Sequence, residues 1–179
     1  MQLSPITTHP LSDLPALRAF VFREHVEASS YSEASRAAQV ADLPADFPDL
    51  LSEPAFAEYS LGSWVVRGPG GAIVAACGLK RGGPSPGDMQ LSYLFVAPPA
   101  RGRGLGRALL RTALAAARAC AAVAHPVPAA PRVRLLTLEG TYAQAVRLYL
   151  SEGFAVTKRV PPSPEGCPHY TLLWLQKDL

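Results

Sequence analysis

The residues with the clearest chemical purpose are Arg101-Gly102-Arg103-Gly104-Leu105-Gly106, where three alternating glycines lead into a long helical segment. Glycine permits a tight turn and lets backbone N–H groups come close to an anion. The helix that follows adds four orphan N–H donors and a partial positive charge. Arg101, Arg103 and Arg107 add side-chain donors. Their hydrogen bonds to charged oxygens would exceed the roughly 0.3–1 kcal/mol that an exposed helix end supplies alone. A pyrophosphate is the group this nest fits best. Two better-known nucleotide motifs are poor matches. Gly106 is followed by Arg107-Ala108 rather than Lys-Ser/Thr, and the glycines do not follow the G-x-G-x-x-G spacing.

Other reactive side chains are sparse. Cys77, Cys120 and Cys167 form neither a disulfide framework nor a metal-spaced cluster. Cys77 and Cys120 sit in apolar surroundings and read as core thiols, while Cys167 falls in a Pro/Gly loop. Arg103, Arg107 and Arg111 recur every four residues as a basic stripe, but no aromatic residues interleave with it as a stacking platform for single strands requires. The formal charge of +3 is mild, so no nucleic-acid partner is expected.

These groups need elements to position them. Apolar residues at Leu11, Leu14, Leu17 and Val21 predict an opening helix to about Ala28, with Ser12 able to cap it. Pro44, Pro48 and Pro54 interrupt the segment 29–60. Ser63–Arg67 and Ala72–Leu79 read as a hairpin around Gly68-Pro69-Gly70-Gly71, and Met89–Val96 as a third strand ended by Pro98-Pro99. A helix over about 104–124 follows, then a strand at 133–138. Thr141 and Gln144 have capping-box spacing for a helix running to Glu152, with Gly153 as its stop signal and Phe154 packing back. Strands at 154–160 and 170–175 complete the order. The fold class is α/β: a mixed, mostly antiparallel sheet with a central strand–helix–strand crossover that makes 89–96 and 133–138 parallel neighbours.

At 179 residues the chain fits a single domain, 1–179, which buries roughly 70% of its unfolded surface. Hydrophobic residues at 49% and charged residues at 17% favour a globular over a disordered chain. The N-terminus lacks a basic region leading into an apolar one, and Arg107, Arg111 and Arg118 interrupt the alanine-rich stretch. The expectation is therefore no membrane span and a cytoplasmic location. Trp64, Trp174 and Leu175 suit either a core or a dimer contact, so monomer and homodimer both stay open.

Two motifs in order resemble the GNAT superfamily of acyl-CoA-dependent N-acetyltransferases. Val96-Ala97-Pro98-Pro99-Ala100-Arg101-Gly102-Arg103-Gly104-Leu105-Gly106 is similar to the family's V-x-P-x-x-R/Q-G-x-G-x-G/A turn. Ala145-Val146-Arg147-Leu148-Tyr149-Leu150-Ser151-Glu152-Gly153-Phe154 is similar to its A-x-x-L-Y-x-x-x-G-F helix. The resemblance covers roughly 60–175. It implies acetyl-CoA as acyl donor, with its pyrophosphate on Arg101 through Gly106 and Arg107. It also implies that the backbone of Phe95 and Val96 meets the pantetheine arm and thioester where the strands splay. Tyr142 stands where many relatives have asparagine, at a coenzyme or water-mediated contact.

The reaction so implied moves an acetyl group directly to a primary amine of a small molecule or peptide. Tyr149 is then the general acid that protonates the leaving sulfur. Many relatives carry a central-strand glutamate as base, but its match here is Gln90, which can orient water and cannot take a proton. Asp88, Glu139 and His169 are possible replacements; Asp88 also reads as a loop cap, and Glu139 has the best topological position, at the end of the second crossover strand. Glu24, Glu27, Tyr31 and Glu33 are candidates to face the amine, although each also reads as ordinary surface. A sensor that binds acyl-CoA without turnover is the competing function.

Overall fold

The computed structural model describes residues 3–10, 13–28, 60–82, 87–123, 131–162 and 170–179, with the side chains of 25–28 set aside. Ser12, Tyr31, Glu33, Cys167, His169 and the side chain of Glu27 lie outside the described residues. The elements are β1 (Thr7–Thr8), α1 (Leu14–Ala28), β2 (Ser60–Arg67), β3 (Ile73–Arg81), β4 (Met89–Val96), α2 (Leu105–Val123), β5 (Arg132–Leu138), α3 (Ala143–Ser151), β6 (Ala155–Val160) and β7 (Leu172–Asp178). They form one sheet in the order β1-β2-β3-β4-β5-β7-β6. Only β4 and β5 run parallel; the other pairs are antiparallel. The mixed sheet and its crossover are as the sequence predicts. The edge strand β1 is an addition, since two residues are too short to show a period.

Two cores flank the sheet. On one face, Leu109, Leu110, Ala113, Leu114 and Ala117 of α2 pack with Trp64, Val66, Cys77, Leu79, Leu91, Val133, Leu135, Tyr149, Leu173 and Leu175. Trp64 and Leu175 are thus core residues. The alanines favour the helix and let it sit close to the strands, while Arg107 and Arg111 stay exposed. On the other face, Leu14, Leu17, Phe20 and Val21 of α1 cover Val65, Ile73, Ala76, Tyr93 and Ala97. Burying each large apolar side chain contributes about 1.5–3 kcal/mol.

A bulge in β4 decides which side chains reach which core. Gly78 pairs Tyr93 but Leu79 pairs Leu91, so Ser92 is an extra residue. Before it, Met89 and Leu91 face α2; after it, Leu94 and Val96 face α2 while Tyr93 and Phe95 face α1. An inserted residue shifts the two-residue alternation by one and bends the strand. Tyr93 lies across Gly78, where an added Cβ would come within 2.4 Å of the ring, and its hydroxyl lies 2.6 Å from Ser63 Oγ.

Helix α3 ends as its sequence predicts and begins otherwise. Gly153 has φ +85°, and its N–H and that of Phe154 donate to the carbonyls of Leu150 and Tyr149, each at 3.0 Å. Phe154 packs edge-on against Tyr149, with centroids 5.8 Å apart. At the other end the N-cap is Tyr142 with no side-chain cap bond. The Thr141–Gln144 capping box is therefore corrected: the tight turn over 139–142 moves the helix start one residue past the expected cap.

Candidate functional site

Beyond the pairs Met89–Val133 and Gln90–Arg134, β4 and β5 part, while β3 continues to pair β4 as far as Val96. The gap is a cleft of about 720 Å³. Its walls are Leu94, Phe95 and Val96 from β4, the turn running from Ala100 into α2, and the segment Gly140 to Leu148 at the start of α3. The expected splay is present at the expected strand end.

The turn is built in steps. Pro98–Ala100 forms a short 3-10 turn, closed by the Ala100 N–H to Ala97 and the Arg101 N–H to Pro98. Gly102 and Gly104 then take φ +74° and +76°, and a Cβ on either would meet nothing within 4 Å. The glycines serve backbone conformation, and the space beside them opens to the cleft they line. The Gly104 carbonyl accepts the Ala108 N–H at 3.0 Å, which starts α2 and leaves its first-turn amides without helical acceptors. Gly106 has a different task. A Cβ there would sit 3.4 Å from Leu148 and 3.8 Å from Val96, so this position is packed against α3 and β4.

The arginines divide their work. Arg101 Nε donates to the Val96 carbonyl at 2.8 Å, tying the turn to the end of β4. Arg107 lines the cleft and also pairs with Glu152 at 3.1 Å, so its side chain joins α2 to α3. Arg111 binds both oxygens of the same carboxylate, at 2.9 and 3.0 Å. The Arg111 hydrogen bond holds the Glu152 carboxyl below the usual carboxylate range. Arg103 is exposed and outside the cleft lining. Tyr142 lines the cleft and meets Phe95 edge-on, with centroids 6.4 Å apart.

A family model described as Acetyltransferase (GNAT) family matches residues 28–154, which include the turn, the crossover and α3. The chain belongs to this family. Solved structures share its fold. The ribosomal-protein-S18-alanine N-acetyltransferase from Escherichia coli is 20% identical, with 99% of this chain and 94% of that chain covered and a TM-score of 0.63. A GCN5-related N-acetyltransferase from Kribbella flavida is 25% identical over 99% of this chain and 98% of that one, with a TM-score of 0.63. A putative acetyltransferase from Salmonella typhimurium, solved with its cofactor acetyl-CoA, is 18% identical over 100% and 95%, with a TM-score of 0.64. No curated protein sequence matches the chain. The family uses acetyl-CoA.

The remaining side chains of this family member sort by depth. Tyr149 is 5% exposed, in the α2-side core and outside the cleft lining. Burial pushes its phenol pKa far up, so it holds its proton throughout the neutral range. Cys77 is wholly buried, and burial likewise pushes its thiol up, which leaves no thiolate to act as a nucleophile. Glu139 is ion-paired with Arg159 and is not in the cleft lining. Gln90 lies at the opening end of β4, beside Lys80 and Arg134, six residues before Val96. No described helix is long and apolar enough to cross a membrane.

Two acidic residues are not where a surface reading puts them. Asp88 is 5% exposed and bidentate to Arg132, at 3.0 and 3.1 Å; residues 83–86 of the loop it is read as capping lie outside the described residues. Glu24 is 2% exposed. Its spacing carried the signal, since position 24 continues the buried stripe of Leu17, Phe20 and Val21 at +7, +4 and +3.

Proposed function

We propose that this acetyltransferase moves the acetyl group of acetyl-CoA directly to a primary amine of a small molecule or peptide. The observation that carries the reading is the pair of left-handed glycines, Gly102 and Gly104, at the mouth of α2, beside a cleft that opens where β4 and β5 part. Amides and arginine side chains from Arg101 to Arg107 receive the pyrophosphate. The pantetheine arm then runs along the Phe95–Val96 backbone, past Tyr142, and a main-chain N–H there polarises the thioester carbonyl.

The neutral amine nitrogen attacks the carbonyl carbon, the N–C bond forms, the C–S bond breaks, one amine proton passes to solvent and the departing thiolate takes up one. A thiol leaving group with pKa near 8.5 needs little assistance. Tyr149, kept protonated by burial, supplies that assistance from outside the cleft lining, so its contribution is modest. The buried Cys77 thiol argues against an acyl-enzyme. The engagement of Glu139 with Arg159 favours a role in bracing the β5 end over one as base.

Thioester consumption tests the reading, measured with acetyl-CoA and a panel of putrescine, Nα-acetyl-lysine amide and an alanine-leading peptide. Saturable consumption that needs an amine is expected. Tight acetyl-CoA binding with no turnover on any amine would point instead to a sensor.

A further inference from the structure

Two aromatic rings meet across the cleft at the end of β4. Phe95 comes from the β4 wall and Tyr142 from the turn that opens α3, and both line the cleft. Their rings stand edge to face, with centroids 6.4 Å apart and planes at 68°, within the roughly 4.5–7 Å at which aromatic pairs are in contact. On the β4 side the lining reaches back only to Leu94, and among the described residues none of β5 belongs to it.

Both rings are held by their surroundings. Phe95 packs against the core that Leu14, Leu17, Phe20 and Val21 form beneath α1, which backs its ring. Tyr142 is the N-cap residue of α3. Its N–H donates to the Leu138 carbonyl at 3.2 Å, and its own carbonyl accepts the Val146 N–H at 2.9 Å. The backbone there is fixed through both of its polar groups, while the side chain makes no cap bond. A favoured N-cap side chain accepts from the first amides of its helix; this one places a ring against Phe95 instead.

The donor arm, as proposed above, enters from the turn at 101–107 and runs along Phe95 and Val96, so its acyl group arrives at the ring pair. Acetyl ends one methyl carbon beyond the thioester carbonyl. Every longer acyl group adds methylenes that need space the rings already occupy, and a single misfitting methylene is discriminated by roughly tenfold or more. The turn at 101–107 cannot make that choice, because the coenzyme phosphates are the same in every acyl-CoA. We propose that the Phe95–Tyr142 ring pair closes the acyl end of the cleft and makes Tyr142 a specificity-determining residue that confines the donor to short acyl groups such as acetyl. This inference rests on the donor path of the acetyl-transfer reading and deepens it.

The test compares calorimetric binding of acetyl-CoA, butyryl-CoA and hexanoyl-CoA to the wild type, Y142N and Y142F. Asparagine removes the ring and supplies a favoured N-cap side chain, so Y142N should fold; phenylalanine keeps the ring and removes the hydroxyl. The wild type should bind hexanoyl-CoA at least about tenfold more weakly than acetyl-CoA. That ratio should shrink to about threefold or less in Y142N and persist in Y142F. Tight acetyl-CoA binding by the wild type, with all three thioesters alike, overturns the inference and leaves the donor cleft standing. A Y142N protein that keeps the wild-type ratio overturns it too, because the ring would not then set the limit. Loss of the ratio in Y142F also overturns it, since the hydroxyl would decide instead. A wild type that binds no acetyl-CoA removes the donor reading and the inference together. If Y142N does not fold, Y142S carries the same expectation, and an unchanged ratio in Y142S overturns the inference equally.

Discussion

The two ends of the β4–β5 pair carry opposite designs. At the closed end, Met89 and Gln90 are in register with Val133 and Arg134, and Asp88 and Arg132 join the strands just before the first pair. At the open end the strands share no pairs, and side chains from the turn and from α3 border the gap instead. The same two strands thus supply a rigid hinge line and a slot. A slot in a sheet exposes backbone groups that a ladder would otherwise satisfy, and those are the groups an extended substrate arm can use. Stability should concentrate at one end and function at the other.

Replacing Asp88 should give the largest effect on stability. Asp88→Ala takes the bidentate carboxylate away from Arg132, and the expected outcome is a fall of several degrees in melting temperature. Acetyl-CoA affinity of the folded fraction should fall much less. Calorimetric melting with and without acetyl-CoA measures both, and a variant that melts like the wild type would show the clamp to be idle.

Gly104→Val should break the open end in the complementary way. A valine at φ +76° costs about 1–2 kcal/mol of backbone strain. Its side chain also enters the space the coenzyme phosphates need. Acetyl-CoA affinity should fall about a hundredfold, equivalent to roughly 2.7 kcal/mol. Unchanged affinity would remove the cradle from the donor site.

The smallest effect should come from Tyr149→Phe. Loss of the phenol proton should lower kcat about tenfold, or roughly 1.4 kcal/mol, with acetyl-CoA binding unchanged. The ring remains to pack against Phe154, so the melting temperature should move little. A variant with full kcat would reduce Tyr149 to a core residue.

Legibility in the sequence followed distance along the chain. The anion nest is written in six consecutive residues, because positive φ, glycine and the unpaired amides of a helix start are local properties. The end of α3 is equally local: Gly153 and Phe154 close bonds to residues three to five positions back. The start of α3 is less local: it lies one residue past Thr141, and spacing alone does not show which amide a threonine faces. The Asp88–Arg132 pair leaves no sign in the sequence because its partners are 44 residues apart. Ser92 gives no sign of being a bulge, since the extra residue is defined by its pairing with Gly78 and Leu79.

The sequence by itself determined the order of the described elements from α1 onward, the glycine-rich turn and the family, because each depends on short-range dihedral preference and periodicity. Only the tertiary structure decided how far β4 and β5 stay paired, how deeply Tyr149 is buried, and that Glu24 is buried with an oxygen unfilled. Those are matters of burial and of contacts between distant segments. Whether a carboxylate is surface or interior depends on what the rest of the chain packs around it.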